Sequence, residues 1–217
     1  MARVDGRLAR SERSRRAVVG ALLDLFEAGD MRPTAAQIAQ RAGVSLRSVF
    51  QHFESLETLF AAAADVQMER LAPLLVPIPT SGSFASRLTT FVTRRARVLE
   101  AISPVRRASL RMEPFSNEVR TRLEAARARG RREAERVFAI ELAGLAPADR
   151  REVAAALGAA ASWSNWEHLR RHQGLGVERA RRVMARMLAS ALGHTVGGAT
   201  VRALDDAERG GDVERRG

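Results

Sequence analysis

Residues 34–53 read TAAQIAQRAGVSLRSVFQHF, and their types and spacing suit contact with double-stranded nucleic acid. A helix-turn-helix needs a small residue where its two helices cross, a glycine able to take φ > 0 in the turn, and an apolar residue pinning each helix. Ala39 is the small residue, Gly43 follows four positions later, and Ile38, Val44 and Val49 are the apolar pins. Ser45 then opens a helix whose first turn is polar, the end that would enter a major groove. An ordinary helical hairpin with a glycine turn has the same spacing, so spacing alone leaves both readings open.

Other constellations are poorer. His168 and His172 lie four apart and share a helix face, which suits a metal, but no nearby acidic cluster completes a ligand set. Solvated or interface histidines are the expected reading, and no metal or other cofactor is expected. The chain has 4 His, no Tyr and no Cys. The absence of Cys excludes a thiol nucleophile, a disulfide framework and thiolate metal sites. No Ser-His-Asp order, glycine-rich phosphate loop or HExxH motif is visible, so an enzyme is not expected. Arg95 falls on the apolar face of a helix, between Phe91 and Val98, where a charge must pair, snorkel or meet a ligand.

The elements that must position these residues are helical. In 217 residues, 46% apolar and 28% charged, there is enough apolar material for a core, and every one of the 36 basic residues is Arg. The net charge of +11 makes nucleic acid a plausible partner without proving it; Arg for Lys is also what a GC-rich genome produces. No apolar run is long enough to span a bilayer, and no apolar segment follows the basic N-terminus as in a secretory signal, so a cytoplasmic protein is expected. Apolar residues recur at helical spacing from Ala17 to Phe26. Thr34 with Gln37 fits a capping box for a second helix, Ser45 caps a third and Ser55 a fourth. After a proline-rich segment at 71–83, the pattern predicts a fifth helix from Phe84 to Ile102 and a short sixth between Pro104 and Pro114. A long seventh follows from Ser116 to Gly144, then an eighth from Asp149 to His172. The ninth carries the stripe Ala180, Val183, Met184, Met187, Leu188, Ala191, Leu192.

The segment from Ser14 to Phe60 resembles the N-terminal domain of TetR-family transcriptional regulators. The matching residues are Phe26 and Gly29, Thr34, Ile38-Ala39, Ala42-Gly43-Val44-Ser45, Val49-Phe50, His52-Phe53, Ser55, and Glu57 with Leu59. Farther on, Trp166-Glu167-His168-Leu169-Arg170, Gly174-Leu175 and Glu178-Arg179-Ala180 resemble the segment through which many members dimerise. The resemblance assigns base reading to the first turn after Ser45. There Arg47 suits guanine O6 and N7, and Leu46 suits a thymine methyl. Thr34, Ser45, Ser48, Gln51 and His52 suit phosphate oxygens, although His52 also fits between helices. The family commonly has Tyr where this chain has Phe50 and Lys where it has Leu56. Arg3, Arg7, Arg10, Arg13, Arg15 and Arg16 can replace the missing backbone contacts.

The resulting expectation is an all-α protein of about nine helices. A flexible basic arm (1–10) precedes a three-helix, helix-turn-helix domain (11–60) for a DNA operator. An effector-binding and dimerisation domain (61–193) and a disordered tail (194–217) follow. Homodimerisation is expected through helices near 149–172 and 177–192, whose small-residue and apolar faces exceed what one protomer needs to bury. The resemblance implies a repressor released by a small molecule. Phe91, Arg95, Met112, Phe115 and Trp163 are the candidate effector contacts, Glu113 being the resting partner of Arg95. Phe50 and Leu56 keep a second reading open, a helical ligand-binding dimer whose DNA contacts have decayed.

Overall fold

The computed structural model describes residues 2–194, with side chains from Ala9 onward. The expected tail lies outside the described residues except for His194. The described residues are helical without strands. Ten α-helices follow in order: α1 (Ala2–Glu27), α2 (Ala35–Ala42), α3 (Leu46–His52), α4 (Leu56–Leu71), α5 (Phe84–Met112), α6 (Asn117–Val137), α7 (Ala139–Ala143), α8 (Pro147–Ala160), α9 (Trp163–Glu167) and α10 (Val177–Ala191). A π-helical turn, His168–His172, continues α9. The chain divides into two compact units, residues up to Pro73 with Ile102–Leu123, and Leu74–Ala101 with the residues from Glu124 onward.

The first unit closes around Val18, Leu22 and Phe26 of α1, Ile38 and Ala39 of α2, Val49 of α3, Phe53, and Leu59 and Ala63 of α4. Phe26 is 1% exposed and meets Phe60 with ring centroids 5.1 Å apart. Burying one such side chain is worth about 1.5–3 kcal/mol. Val105 and Ala108, from the last turns of α5, join this core. The unit is thus larger than the 11–60 segment.

In the second unit Phe91 is fully buried and packs edge-on against Phe138 at 5.4 Å. Arg87 and Glu141 form a buried ion pair. Trp166 donates from Nε1 to Glu100 Oε1 at 2.7 Å, and Arg170 donates from Nε to the same oxygen at 2.8 Å. Glu133 accepts from the Ile78 N–H at 3.3 Å and from Arg136 at 2.7 Å. Burial pushes the Glu133 carboxyl up, but the Arg136 guanidinium, the Ile78 N–H and the charge of Arg94 outweigh it and hold the group below its ordinary value.

Several helix boundaries differ from the sequence pattern. Helix α1 begins at Ala2, within the stretch expected to be a flexible arm. The fifth and sixth helices are one, with Pro104 inside α5. A proline removes one helix hydrogen bond and costs about 3 kcal/mol. Burial on both sides of it, Leu99 before and Ala108 after, keeps the helix continuous. The seventh breaks at Phe138, which leaves helical geometry at φ −104°, ψ 24° while its ring is fixed among Phe84 and Phe91. The eighth starts at Pro147 and breaks at Ala161–Ser162. There Ser162 Oγ accepts from the Asn165 N–H at 3.1 Å and Asn165 Nδ2 donates to the Ala160 carbonyl at 2.8 Å. Such local side-chain bonds offer the backbone an alternative to the helix ladder.

Candidate nucleic-acid interface

The turn between α2 and α3 is built by four residues whose roles are local. Thr34 stands in extended geometry before α2, and its hydroxyl accepts from the Gln37 N–H at 3.3 Å. Gln37 Oε1 accepts in return from the Thr34 N–H at 2.8 Å, closing the capping box. Gly43 ends α2 in the left-handed region at φ 67°, ψ 30°. A side chain there would strain the turn, because Cβ crowds the following carbonyl. Ser45 starts α3, accepting from the Ser48 N–H at 3.1 Å. Ile38 and Val49 are buried at 0% and 1% exposure, and they fix the two helices on α1.

With the inner face of α3 so committed, its other residues are left for solvent. Leu46, Arg47, Phe50 and Gln51 are exposed, and Ser48 and His52 are half-buried. Leu46 is 46% and Phe50 52% exposed, a poor arrangement for apolar side chains that have no partner to meet. Arg47 has no ion-pair partner among the described residues, so its fork is available. The hydroxyls of Thr34 and Ser45 are engaged in caps, where they also donate to Gln37 Oε1 at 2.7 Å and to Ser48 Oγ at 3.3 Å; both residues are exposed, and a hydroxyl proton rotates to suit a new acceptor. Of the eight sequence-predicted residues, all lie on α3 or on the caps of α2 and α3.

One contact here is not visible in the spacing. The Arg15 guanidinium lies over the Phe53 ring, 5.3 Å from its centroid. Phe53 is the residue that ends α3, so this cation–π contact ties α1 to the far end of the exposed helix. In sequence Arg15 reads as one more basic residue of the N-terminus.

Residues 19–63 match the family model of bacterial regulatory proteins of the tetR family. The chain carries the N-terminal domain of that family. The chain also resembles solved structures along most of its length. One is a transcriptional regulator from Rhodococcus sp. Rha1, 19% identical, with a TM-score of 0.65 over 84% of this chain and 98% of that one. Another is a tetR-family transcriptional regulator from Streptomyces coelicolor, 18% identical, with a TM-score of 0.64 over 89% of this chain and 88% of that one. These two likenesses carry the fold. No curated protein sequence matches the chain.

The five candidate effector residues divide between the two units. Phe91, Arg95 and Trp163 belong to the second unit, Met112 and Phe115 to the first. Phe91 is core, Trp163 is 9% exposed, and Phe115 stands 90% exposed. Arg95 is half-buried and donates from Nε to the Ala161 carbonyl at 2.8 Å. Its guanidinium covers Gly130, where an added Cβ would fall 2.6 Å from Nη2. His168 and His172 have ring centroids 5.6 Å apart, and among the described residues no third ligating side chain joins them.

The ninth-helix stripe splits in the structure. Ala180, Met184 and Leu188 of α10 are buried within the protomer, whereas Met187 is 40% exposed and Val183, Ala191 and Leu192 are half-buried. On α8, Ala155, Ala156 and Ala159 are exposed. No helix among the described residues is long and apolar enough to cross a membrane.

Proposed function

We propose that this TetR-family transcriptional regulator acts in the cytoplasm as a homodimeric repressor. Each protomer sets one helix-turn-helix on a half-site of a pseudo-palindromic operator. The observation that carries this reading is the first turn of α3: Ser45 caps it, Gly43 makes the turn before it, and Leu46 and Arg47 stand exposed. Arg47 reads guanine, Leu46 meets a thymine methyl, and Thr34, Ser45, Ser48, Gln51 and His52 grip phosphates. Phe50 supplies apolar contact without the hydroxyl common in the family. Selection of bound fragments from random duplex DNA tests this directly. A recovered inverted repeat supports it, and binding that selects no sequence overturns it in favour of a ligand-binding dimer that has lost its operator.

Dimerisation runs through the exposed alanines of α8 and the outer residues of α10. Met187 is partly exposed in the protomer, so Met187→Asp leaves the fold intact while placing an unpaired charge in the seam. Sedimentation of that variant as a folded monomer supports this seam; an unchanged dimer places the seam elsewhere.

A small-molecule effector that binds the second unit better in the released conformation shifts the population away from DNA. Arg95 and Trp163 are its candidate contacts there, with Phe91 behind them, Arg95 answering an anionic group. Arg95→Met tests the assignment. Preserved operator binding with loss of release supports it, and unchanged release removes Arg95 from the effector site.

A further inference from the structure

The second unit carries a pair of side chains that neither operator nor effector binding uses. His168 and His172 are both exposed, and their rings lie with centroids 5.6 Å apart and planes 33° from parallel. The sequence pattern alone expects solvated histidines here, because spacing does not say how two rings meet. In a chelate each nitrogen sits about 2.0–2.1 Å from the metal. Two imidazole ring centres on one metal are then roughly 4.5–5.2 Å apart, for angles between a square and a tetrahedral corner. The observed spacing is wider by only a few tenths of an ångström. Small rotations within one rotamer well cover that difference in exposed side chains.

The backbone that carries the rings is held from several sides. Trp166 and Leu169 are buried on the inner side of the turn. Arg170 donates to Glu100 and to the Leu175 carbonyl. The Gln173 N–H donates to the His168 carbonyl at 3.0 Å, and the Leu175 N–H to the Leu169 carbonyl at 3.0 Å. Gly174 makes the reversal at φ 66°. Ligands mounted on a fixed turn lose little freedom when a metal arrives. Residues 168–172 are moreover π-helical, a local form that recurs at functional sites. The two arginines between the rings are answered, Arg170 by Glu100 at 2.8 Å and Arg171 by Glu167 at 3.9 Å. Those carboxylates offset the positive charge closest to the pair. Gln173 Nε2 lies 3.1 Å from His168 Nε2 and orients that ring, as outer partners of metal-binding histidines do.

We propose that His168 and His172 are a two-histidine chelate for a first-row transition-metal dication, with water in the remaining positions. The donor set decides the class of ion. Imidazole nitrogens suit Cu²⁺, Ni²⁺ and Zn²⁺, whereas Mg²⁺ and Ca²⁺ take oxygen ligands. Among the described residues no third ligating side chain joins the pair, so the site is open on its outer side. A metal held there staples the turn that leads into α10. The proposal does not depend on the reading of α3 and stands or falls apart from it.

The test titrates the full-length protein, carrying no histidine tag, with Cu²⁺, Ni²⁺, Zn²⁺ or Mg²⁺ alone. One ion per protomer is expected, with copper bound most tightly and magnesium not bound. His168→Ala and His172→Ala are each expected to weaken copper binding by about 100-fold or more, since the second imidazole acts as an intramolecular ligand. His194→Ala is expected to leave it unchanged. The electron paramagnetic resonance spectrum of the copper-loaded protein is expected to show coupling to two nitrogens, and to one in each single variant. Copper raises the melting midpoint of the original protein and of His194→Ala but not of the other two variants. Both rings are exposed, so all variants are expected to melt alike without metal. Should an alanine variant melt lower, His172→Asn removes the ligand while keeping a polar side chain of similar size. Copper affinity that survives the loss of either histidine overturns the proposal. So does a spectrum with a single nitrogen ligand in the original protein.

Discussion

The helix-turn-helix and the second unit are held together by bonds of different range. Around α2 and α3 the fixing bonds join Thr34 to Gln37 and Ser45 to Ser48, three residues apart. In the second unit the ties run from Arg87 to Glu141, from Glu100 to Trp166 and Arg170, and from Arg95 to Ala161, 54 to 70 residues apart. The first region puts its polar side chains into caps and leaves one face of a short helix unspent. The second consumes its polar groups internally, several of them buried. A surface that must meet varied partners is served by local scaffolding, because nothing distant has to move when its outer residues change.

The sharpest way to break the contrast is to remove one long-range charge. Glu141→Ala strands the Arg87 guanidinium, 3% exposed, and is expected to cost about 3–5 kcal/mol. Urea denaturation followed by Trp fluorescence reads it, since both tryptophans belong to the second unit. A loss below 1 kcal/mol would mean that solvent already reaches the pair. Arg47→Ala comes next. It is expected to leave stability unchanged and to weaken the selected operator by about 1–3 kcal/mol, with relaxed preference at one position per half-site. Uniform weakening on every duplex makes Arg47 a phosphate contact instead.

Smaller effects sharpen the comparison. Thr34→Ala removes the α2 cap and is expected to cost about 1 kcal/mol, with a matching loss of operator affinity as α2 frays. A thermal melt that does not move shows that the buried Ile38 and Ala39 hold α2 unaided. The smallest effect is a pH dependence in the second unit. The folded chain holds the Glu133 carboxyl below its ordinary value, so the stability it adds is present above that ordinary value. It is lost as pH falls through the lower folded value. Glu133→Gln is expected to lower stability slightly at neutrality, where the charged carboxylate contributes, and to flatten the acid limb of the stability curve below the ordinary carboxylate value. An acid limb of the same slope assigns the loss to other carboxylates.

How much was legible follows the same division of range. The capping box at Thr34, the glycine turn at Gly43 and the start of α3 at Ser45 all appear where the sequence pattern puts them, since each is decided within four residues. The breaks at Phe138 and at Ala161–Ser162 do not, although Ser162 and Asn165 carried a weak local signal for the second. The continuous α5 contradicts the local rule for Pro104, because burial of residues on either side outweighs one lost hydrogen bond. The exposed residues of α3 could be read as a set, but the tie between Arg15 and Phe53 joins positions 38 apart and has no signature in spacing.

By itself, then, the order of residues determined the helical class, the caps and turn of the helix-turn-helix, and which side chains α3 leaves unburied, because short-range sterics and capping bonds decide these. Tertiary structure alone decided that α5 runs through its proline and that the α10 stripe divides between an inner face and a half-exposed Met187. It also placed Arg95 against a backbone carbonyl over a glycine. Each of these depends on what distant segments bring to the same place, and a guanidinium or a methionine has the same local preferences whether or not a partner is waiting for it.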